Sequence, residues 1–195
     1  MQYHIWTLGC QMNVADSQLL ASELEKLGHR AATIGDEADI MVVNTCVVRQ
    51  SAEEKGLGRL GMLGKLKRQQ PDKIIGVMGC MVGLRDPLWM RKRLPYVDVF
   101  MPPSDPAPML DFLSGRRHES AALQLEAAAR QERDALQDGE LVLPLRERGQ
   151  LICAHVPVVY GCSHACTFCI IPFRRGIDSD RDAGNAGEGH SSGSR

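Results

Sequence analysis

The sequence predicts an α/β domain built on a mainly parallel, open sheet, and three observations carry that prediction. Short apolar runs alternate with helical stretches from Tyr3 to Leu113. The runs are rich in β-branched residues and bounded by turn residues, as strands buried on both faces are. The stretches between them are long enough to return the chain across a sheet, which is the arrangement that alternating strands and helices adopt.

Taken in order, His4-Ile5-Trp6-Thr7-Leu8 is the first predicted strand. Asp16 to Leu27 follows as a helix, with apolar residues at Leu19, Leu20, Leu24 and Leu27 and Gly28 placed to end it. Ile40-Met41-Val42-Val43 is a second strand. Ser51 to Gln69 is a longer predicted helix, although Gly56, Gly58, Gly61 and Gly64 weaken the case for one uninterrupted helix. Ile74-Ile75-Gly76-Val77-Met78 and Val97-Asp98-Val99-Phe100 complete the strands. Residues 1–113 are therefore predicted as one domain.

Residues 114–150 read as a linker. They pass through Gly115-Arg116-Arg117 and a helix-favouring Ala/Glu/Gln/Arg stretch from Ala121 to Leu136 that shows no apolar face. A new strand is predicted from Cys153 to Tyr160, leading into Gly161-Cys162-Ser163-His164-Ala165-Cys166-Thr167-Phe168-Cys169. From Gly176 to Arg195 the chain holds one large apolar residue, Ile177, and five glycines. Residues 177–195 are accordingly expected to be a disordered tail, since they cannot bury enough surface to offset ordering entropy.

Composition narrows the class. The 195 residues are 44% hydrophobic and 24% charged, with 23 basic against 24 acidic side chains, a formal net charge of −1. That is globular and not disordered, and nucleic-acid binding cannot be argued from global charge. The apolar stretch from Ile40 to Val48 is broken by Asn44 and Thr45, so nothing approaches the roughly 18 residues of a membrane span. No secretory signal is visible at Met1-Gln2-Tyr3-His4, so a cytoplasmic chain with no membrane partner is expected. Seven cysteines then need another explanation than disulfides, and ligation of a metal or cluster is favoured.

Cys162, Cys166 and Cys169 stand at CxxxCxxC spacing in a loop after a strand. Three thiolates so spaced can hold three corners of a 4Fe-4S cluster and leave one iron open to an outside ligand. The competing reading is a structural zinc knuckle with His164 or Cys153 as fourth ligand, although such sites usually draw on two separated pairs. A second triplet lies in the first domain: Cys10, Cys46 and Cys80 each follow a predicted strand. In an open parallel sheet the carboxyl ends of strands share one edge, where ligands bind, so residues 34 to 36 apart can converge. Gly9 and Gly79 would allow close backbone approach there. Three ordinary buried cysteines are the bland alternative.

Leu8-Gly9-Cys10-Gln11-Met12-Asn13, Asp16-Ser17, Ala38-Asp39, Asn44-Thr45-Cys46-Val47-Val48-Arg49, Ala52-Glu53-Glu54-Lys55 and Gly76-Val77-Met78-Gly79-Cys80 together resemble the amino-terminal domain of the methylthiotransferase family of radical S-adenosylmethionine enzymes. Gly161 to Pro172, with Phe168 in the aromatic position and Arg175-Gly176 after it, resembles the start of that family's radical domain, its first strand and cluster loop. The resemblance covers residues 3 to about 176, weakly in the linker, and Gln11-Met12-Asn13 with Val48-Arg49 are most similar to the tRNA-modifying branch.

The resemblance implies a flavodoxin-like first domain and two 4Fe-4S clusters. The one on Cys162, Cys166 and Cys169 would bind S-adenosylmethionine and, given an electron from a donor, generate the radical that takes hydrogen from carbon 2 of an N6-isopentenyladenosine beside the anticodon. The one on Cys10, Cys46 and Cys80 would carry the sulfur that is methylated and delivered. Implied partners are the tRNA anticodon loop, whose bases unstack cheaply, S-adenosylmethionine and an electron donor; a monomer is expected. No catalytic side chain beyond these ligands is assigned. The alternatives are a branch acting on ribosomal protein S12 or another tRNA adenosine, a non-catalytic iron-sulfur or zinc module, and a flavodoxin-like domain binding a small ligand.

The remaining candidates are weaker. Arg59, Lys65, Lys67, Arg68 and Arg91-Lys92-Arg93 could meet RNA phosphates, but solvated helix faces are the better reading. His4, His29, His118, His155 and His190 lack ligand spacing, and Cys153 reads as a strand residue. The 45 residues after Gln150 hold one strand-helix unit of a barrel at about 30 residues per unit. The chain is therefore expected to be truncated, frame-shifted or a fragment, and inactive alone.

Overall fold

The computed structural model describes residues 1–83, 88–115, 144, 159–164, 166–176 and 179–180. The first 113 residues form the α/β layer structure that the alternation predicts. In chain order its elements are β1 (Gln2–Leu8), α1 (Gln11–Lys26), β2 (Arg30–Ala31), a 3₁₀ turn (Gly35–Glu37), β3 (Ile40–Thr45), α2 (Gln50–Gln69), β4 (Ile74–Gly79), α3 (Leu88–Arg93), β5 (Val99–Met101) and α4 (Ala107–Leu113). The strands form one five-stranded sheet in the order β2-β1-β3-β4-β5, and every pairing is parallel. That is the flavodoxin-like order, with its topological switch between β1 and β3.

The central strand shows why the sequence folds so. All six residues of β3 are buried, and its side chains alternate between two cores. Met41 and Val43 pack with Ile75, Val77, Phe100, and with Leu60 and Leu63 of α2 and Met90 of α3. Ile40 and Val42 pack with Met78, Met101, and with Leu20 and Leu24 of α1 and Met109 of α4. A strand with apolar side chains in both directions is stable only when helices cover both faces of the sheet.

Several elements depart from the sequence reading, each for a physical reason. The first helix begins at Gln11, five residues before the predicted start, because its opening turns bury polar residues: Asn13, Asp16 and Ser17 are enclosed while Leu19 and Leu27 are exposed. An apolar period cannot find such a face. The second helix runs unbroken over 20 residues despite four glycines. Two of them lie at close approaches: a Cβ at Gly56 would stand 3.1 Å from the Thr45 hydroxyl, and one at Gly64 would stand 2.9 Å from the Tyr96 ring. The last strand is Val99–Met101 and not 97–100, since Asp98 serves to pair with Lys67 and to accept from the Ile75 amide at 2.8 Å.

The cysteine-rich segment contributes β6 (Val159–Tyr160), α5 (Ile171–Arg175) and β7 (Ser179–Asp180), and β6 pairs with β7 antiparallel. The predicted strand from Cys153 is described only at its last two residues, and Cys153 itself lies outside the described residues. The predicted linker falls outside them except for Ser114, Gly115 and Pro144, and the predicted tail except for β7. Among the described residues no helix is long and apolar enough to cross a membrane.

Candidate metal centre at the sheet edge

The strands that carry the first cysteine triplet are neighbours. Leu8 of β1 stands beside Thr45 of β3, and Thr45 beside Gly79 of β4, so these three strands end in one row. Cys46 and Cys80 are the next residue after that row and Cys10 is two past it. With parallel strands about 4.8 Å apart, three adjacent ends lie within about 10 Å of one another. The edge is the carboxyl one, where open α/β sheets bind ligands.

The six described cysteines are all free. Cys46 and Cys80 are buried and Cys10 is exposed. Burial pushes the Cys80 thiol up, the Arg175 charge pulls it down, and charge on Cys46 or Cys10 pushes it up again. The Val48 amide donates to the Cys46 sulfur at 3.4 Å. Among the described residues no three His, Cys, Asp or Glu side chains are grouped as ligands of one metal ion.

Under the thiols lies a floor of buried amides. Asn13 and Asn44 are fully enclosed. The Asn13 amide donates to the Asn44 side-chain carbonyl at 2.8 Å, and the Asn44 amide donates to the Asn13 backbone carbonyl at 2.8 Å and to the Ser17 hydroxyl at 2.9 Å. Ser17 shares a further hydrogen bond with Thr7 at 2.8 Å. The Asn13 side-chain oxygen accepts from the Cys10 amide at 3.4 Å and from its thiol at 3.3 Å. This network ties α1 to β1 and β3 and fixes the backbone that presents Cys10. A satisfied polar network in low dielectric is rigid, which suits a site that must hold ligands in place.

Glycine is needed at both flanks of this floor. Gly79 has φ +98°, and a Cβ there would lie 2.5 Å from Asn44 Oδ1 and 2.7 Å from the Thr45 carbonyl oxygen. A Cβ at Gly9 would lie 2.6 Å from Asn13 Oδ1 and 3.0 Å from the Cys46 Cβ. Soft thiol donors after three neighbouring strand ends, with one backbone amide donating to the Cys46 sulfur, fit an inorganic cluster held on Cys10, Cys46 and Cys80.

The second triplet has its own local frame. The Cys169 amide donates to the Cys166 carbonyl at 3.2 Å, and the Cys162 amide to the Gly176 carbonyl at 3.0 Å, which closes the loop onto the end of α5. Cys166 is exposed, Cys162 and Cys169 are half-buried, and Phe168 is 92% exposed.

One residue that the sequence reading names without a role joins the two parts. The Arg175 side chain, at the end of α5, is 6% exposed and pairs with buried Asp16 of α1 at 2.9 Å, and its charge acts on the Cys80 thiol. Burial disfavours its charge, but Asp16 and Cys80 outweigh that and raise its pKa, so it remains a cation. The sequence signal for it was the Arg-Gly pair after the cysteine loop together with a helical Asp one turn beyond Asn13. Of the basic residues considered for RNA, Arg59 lies over the Trp6 ring and pairs with Asp36 at 3.6 Å, Lys67 pairs with Asp98, and Arg91 lies over the Phe100 ring. Lys65, Arg68, Lys92 and Arg93 are exposed.

Comparison with known proteins gives the family and its relatives. Residues 2–102 match the family described as uncharacterized protein family UPF0004. The chain is 39% identical over 181 residues to a tRNA-2-methylthio-N(6)-dimethylallyladenosine synthase of Chloroflexus aurantiacus, covering 92% of this chain and 35% of the relative. Enzymes of the same description from Herpetosiphon aurantiacus and Mycobacterium tuberculosis are 37% and 41% identical, over 92% of this chain and 37% and 31% of their own lengths. The chain thus spans about a third of the curated relatives it matches.

Proposed function

The chain belongs to uncharacterized protein family UPF0004, and on that premise we propose that it serves tRNA modification as a radical S-adenosylmethionine methylthiotransferase. The reaction would place a methylthio group on carbon 2 of an N6-isopentenylated adenosine beside the anticodon. The observation that carries this reading is that Cys10, Cys46 and Cys80 follow three neighbouring strands whose ends lie in one row, with the charge of Arg175 from the CxxxCxxC segment acting on Cys80. The modified nucleoside named in the relatives supports the substrate.

Cys10, Cys46 and Cys80 would hold one 4Fe-4S cluster, and Cys162, Cys166 and Cys169 the other, the latter also receiving S-adenosylmethionine. Together these groups supply one-electron chemistry at an unactivated ring carbon, where no side-chain acid or base could readily remove the hydrogen. The chain's own residues do the rest. The amide floor of Asn13 and Asn44 holds the first triplet in register, Gly9 and Gly79 let the backbone close tightly onto that floor, and the Val48 amide donates to the Cys46 sulfur.

Anaerobic reconstitution followed by iron and sulfide analysis tests the reading. About eight iron atoms per chain are expected for two four-iron clusters. Replacing Cys10, Cys46 and Cys80 by Ala, or Cys162, Cys166 and Cys169 by Ala, should each halve that number. A colourless protein with stoichiometric zinc overturns the reading and leaves a zinc-binding module. Transfer is read by supplying S-adenosylmethionine, reductant and isopentenylated tRNA, with 2-methylthio nucleoside that depends on both triplets as the supporting result.

A further inference from the structure

Asp16, Ser104 and Arg175 form a buried cluster drawn from three distant parts of the chain. Asp16 is in α1, Ser104 follows β5, and Arg175 ends α5 six residues after Cys169. The Ser104 hydroxyl donates to Asp16 Oδ1 at 2.7 Å, Arg175 Nη2 donates to Asp16 Oδ2 at 2.9 Å, and Arg175 Nη1 donates to the Ser104 oxygen at 3.4 Å. The Asp16 and Arg175 side chains are 2% and 6% exposed. A carboxylate so enclosed is strongly destabilising without a partner, and here its counter-charge comes from 159 positions later in the chain. Among the described residues Ser104 is the one non-glycine with positive φ, +63°, a strained conformation that aims its hydroxyl at Asp16. Strain of this kind persists where the surroundings over-determine it, often at functional sites.

We propose that Arg175 is a positioning residue: anchored by Asp16 and Ser104, it seats the cysteine-rich loop on the sheet edge and presents positive charge to the Cys80 sulfur. This rests on the reading of Cys10, Cys46 and Cys80 as cluster ligands. A guanidinium carries five donors in a rigid fork and can serve a carboxylate and a hydroxyl together while its charge faces a third group, which the compact ammonium of lysine cannot do with the same geometry. Hydrogen bonds and charge at ligand sulfurs set the reduction potential of a cluster. A cation at Cys80 favours the reduced, more negative form. One residue would thereby link the docking of the second cysteine segment to the electronic state of the first.

The test uses the full chain with Cys162, Cys166 and Cys169 replaced by Ala, so that the remaining cluster is the one on Cys10, Cys46 and Cys80. In this background Arg175→Gln is expected to lower the reduced-to-oxidised ratio tenfold at a fixed potential, read by electron paramagnetic resonance; that equals about 59 mV for a one-electron couple. Arg175→Lys, which keeps the charge, is expected to fall between Gln and the parent. Hydrogen exchange at residues 100–106 and 171–176 should rise at least tenfold in Arg175→Gln and Asp16→Asn, while β3 and β4 stay protected. A purely structural role would move exchange and leave the redox ratio alone, so an unchanged ratio in Arg175→Gln overturns the proposal. Absence of iron from the parent overturns the cluster reading instead; the seating is then judged by exchange alone, raised exchange supporting it and unchanged exchange overturning it.

Discussion

Replacing Gly79 by Ala tests whether the amide floor beneath the cysteines is as tight as the structure shows. Its φ of +98° is a conformation that costs an ordinary L-residue about 1–2 kcal/mol. The new methyl group would stand 2.5 Å from Asn44 Oδ1, 2.7 Å from the Thr45 carbonyl and 3.0 Å from Asn13 Nδ2. The Thr45 oxygen belongs to a central strand and cannot withdraw, so overpacking adds about 1–3 kcal/mol. Relief by moving Asn44 breaks its bond with Asn13 and leaves buried amides unsatisfied, again about 1–3 kcal/mol. These effects overlap, and the expected loss is about 3–5 kcal/mol, a large share of the 5–15 kcal/mol of a typical domain. Gly28 is the internal control: its φ is +84°, yet a Cβ there meets nothing within 4 Å, so Gly28→Ala should cost about 1–2 kcal/mol. Urea titration of both variants by far-ultraviolet circular dichroism gives the difference. A Gly79→Ala loss within about 0.5 kcal/mol of the Gly28→Ala loss, smaller than any overpacking cost, would refute the close contact.

Three further outcomes follow from the same structure. Gly58 and Gly61 lie on α2 with open space where a Cβ would go, so Gly58→Ala and Gly61→Ala should each raise stability by about 0.5–1 kcal/mol in the same titration. Asn44→Ala should cost about 2–4 kcal/mol, because it removes the close acceptor of the buried Asn13 amide and the bond to the Ser17 hydroxyl, and a loss under 1 kcal/mol would show that water replaces it. In the metal-free chain, exposed Cys10 should be alkylated by iodoacetamide at least tenfold faster than Cys80, whose thiol is both buried and pushed up, as read by peptide mass mapping; equal rates would mean that the edge is open.

The strands and the cysteine positions were legible because each rests on a local signal. The runs at His4–Leu8, Ile40–Val43 and Ile74–Met78 are apolar in both directions, and each leads into a cysteine, so the edge could be inferred from strand polarity alone. Elements governed by tertiary contact were not. The start of α1 is hidden because its inward face is polar where it lines the site. The continuity of α2 is hidden because Gly56 and Gly64 read as helix breakers until Thr45 and Tyr96 stand against them. β2 is two residues paired with Gln2 and Tyr3, too short to show a period. The role of Arg175 depends on a pairing across 159 positions, which no motif spacing expresses.

The row of Leu8, Thr45 and Gly79 has a consequence for the order in which this protein matures. Cys10, Cys46 and Cys80 are separated by whole crossovers, and they meet only once β3 has paired with both β1 and β4. Such parallel, non-local pairings are among the slower events of folding, because the loops must close before any contact rewards them. A zinc finger gathers its ligands from neighbouring residues and folds because the metal arrives. Here the sheet must come first, so a cluster held on the three cysteines would report on a completed fold, and a chain stalled before β4 carries thiols with nothing to bring them together.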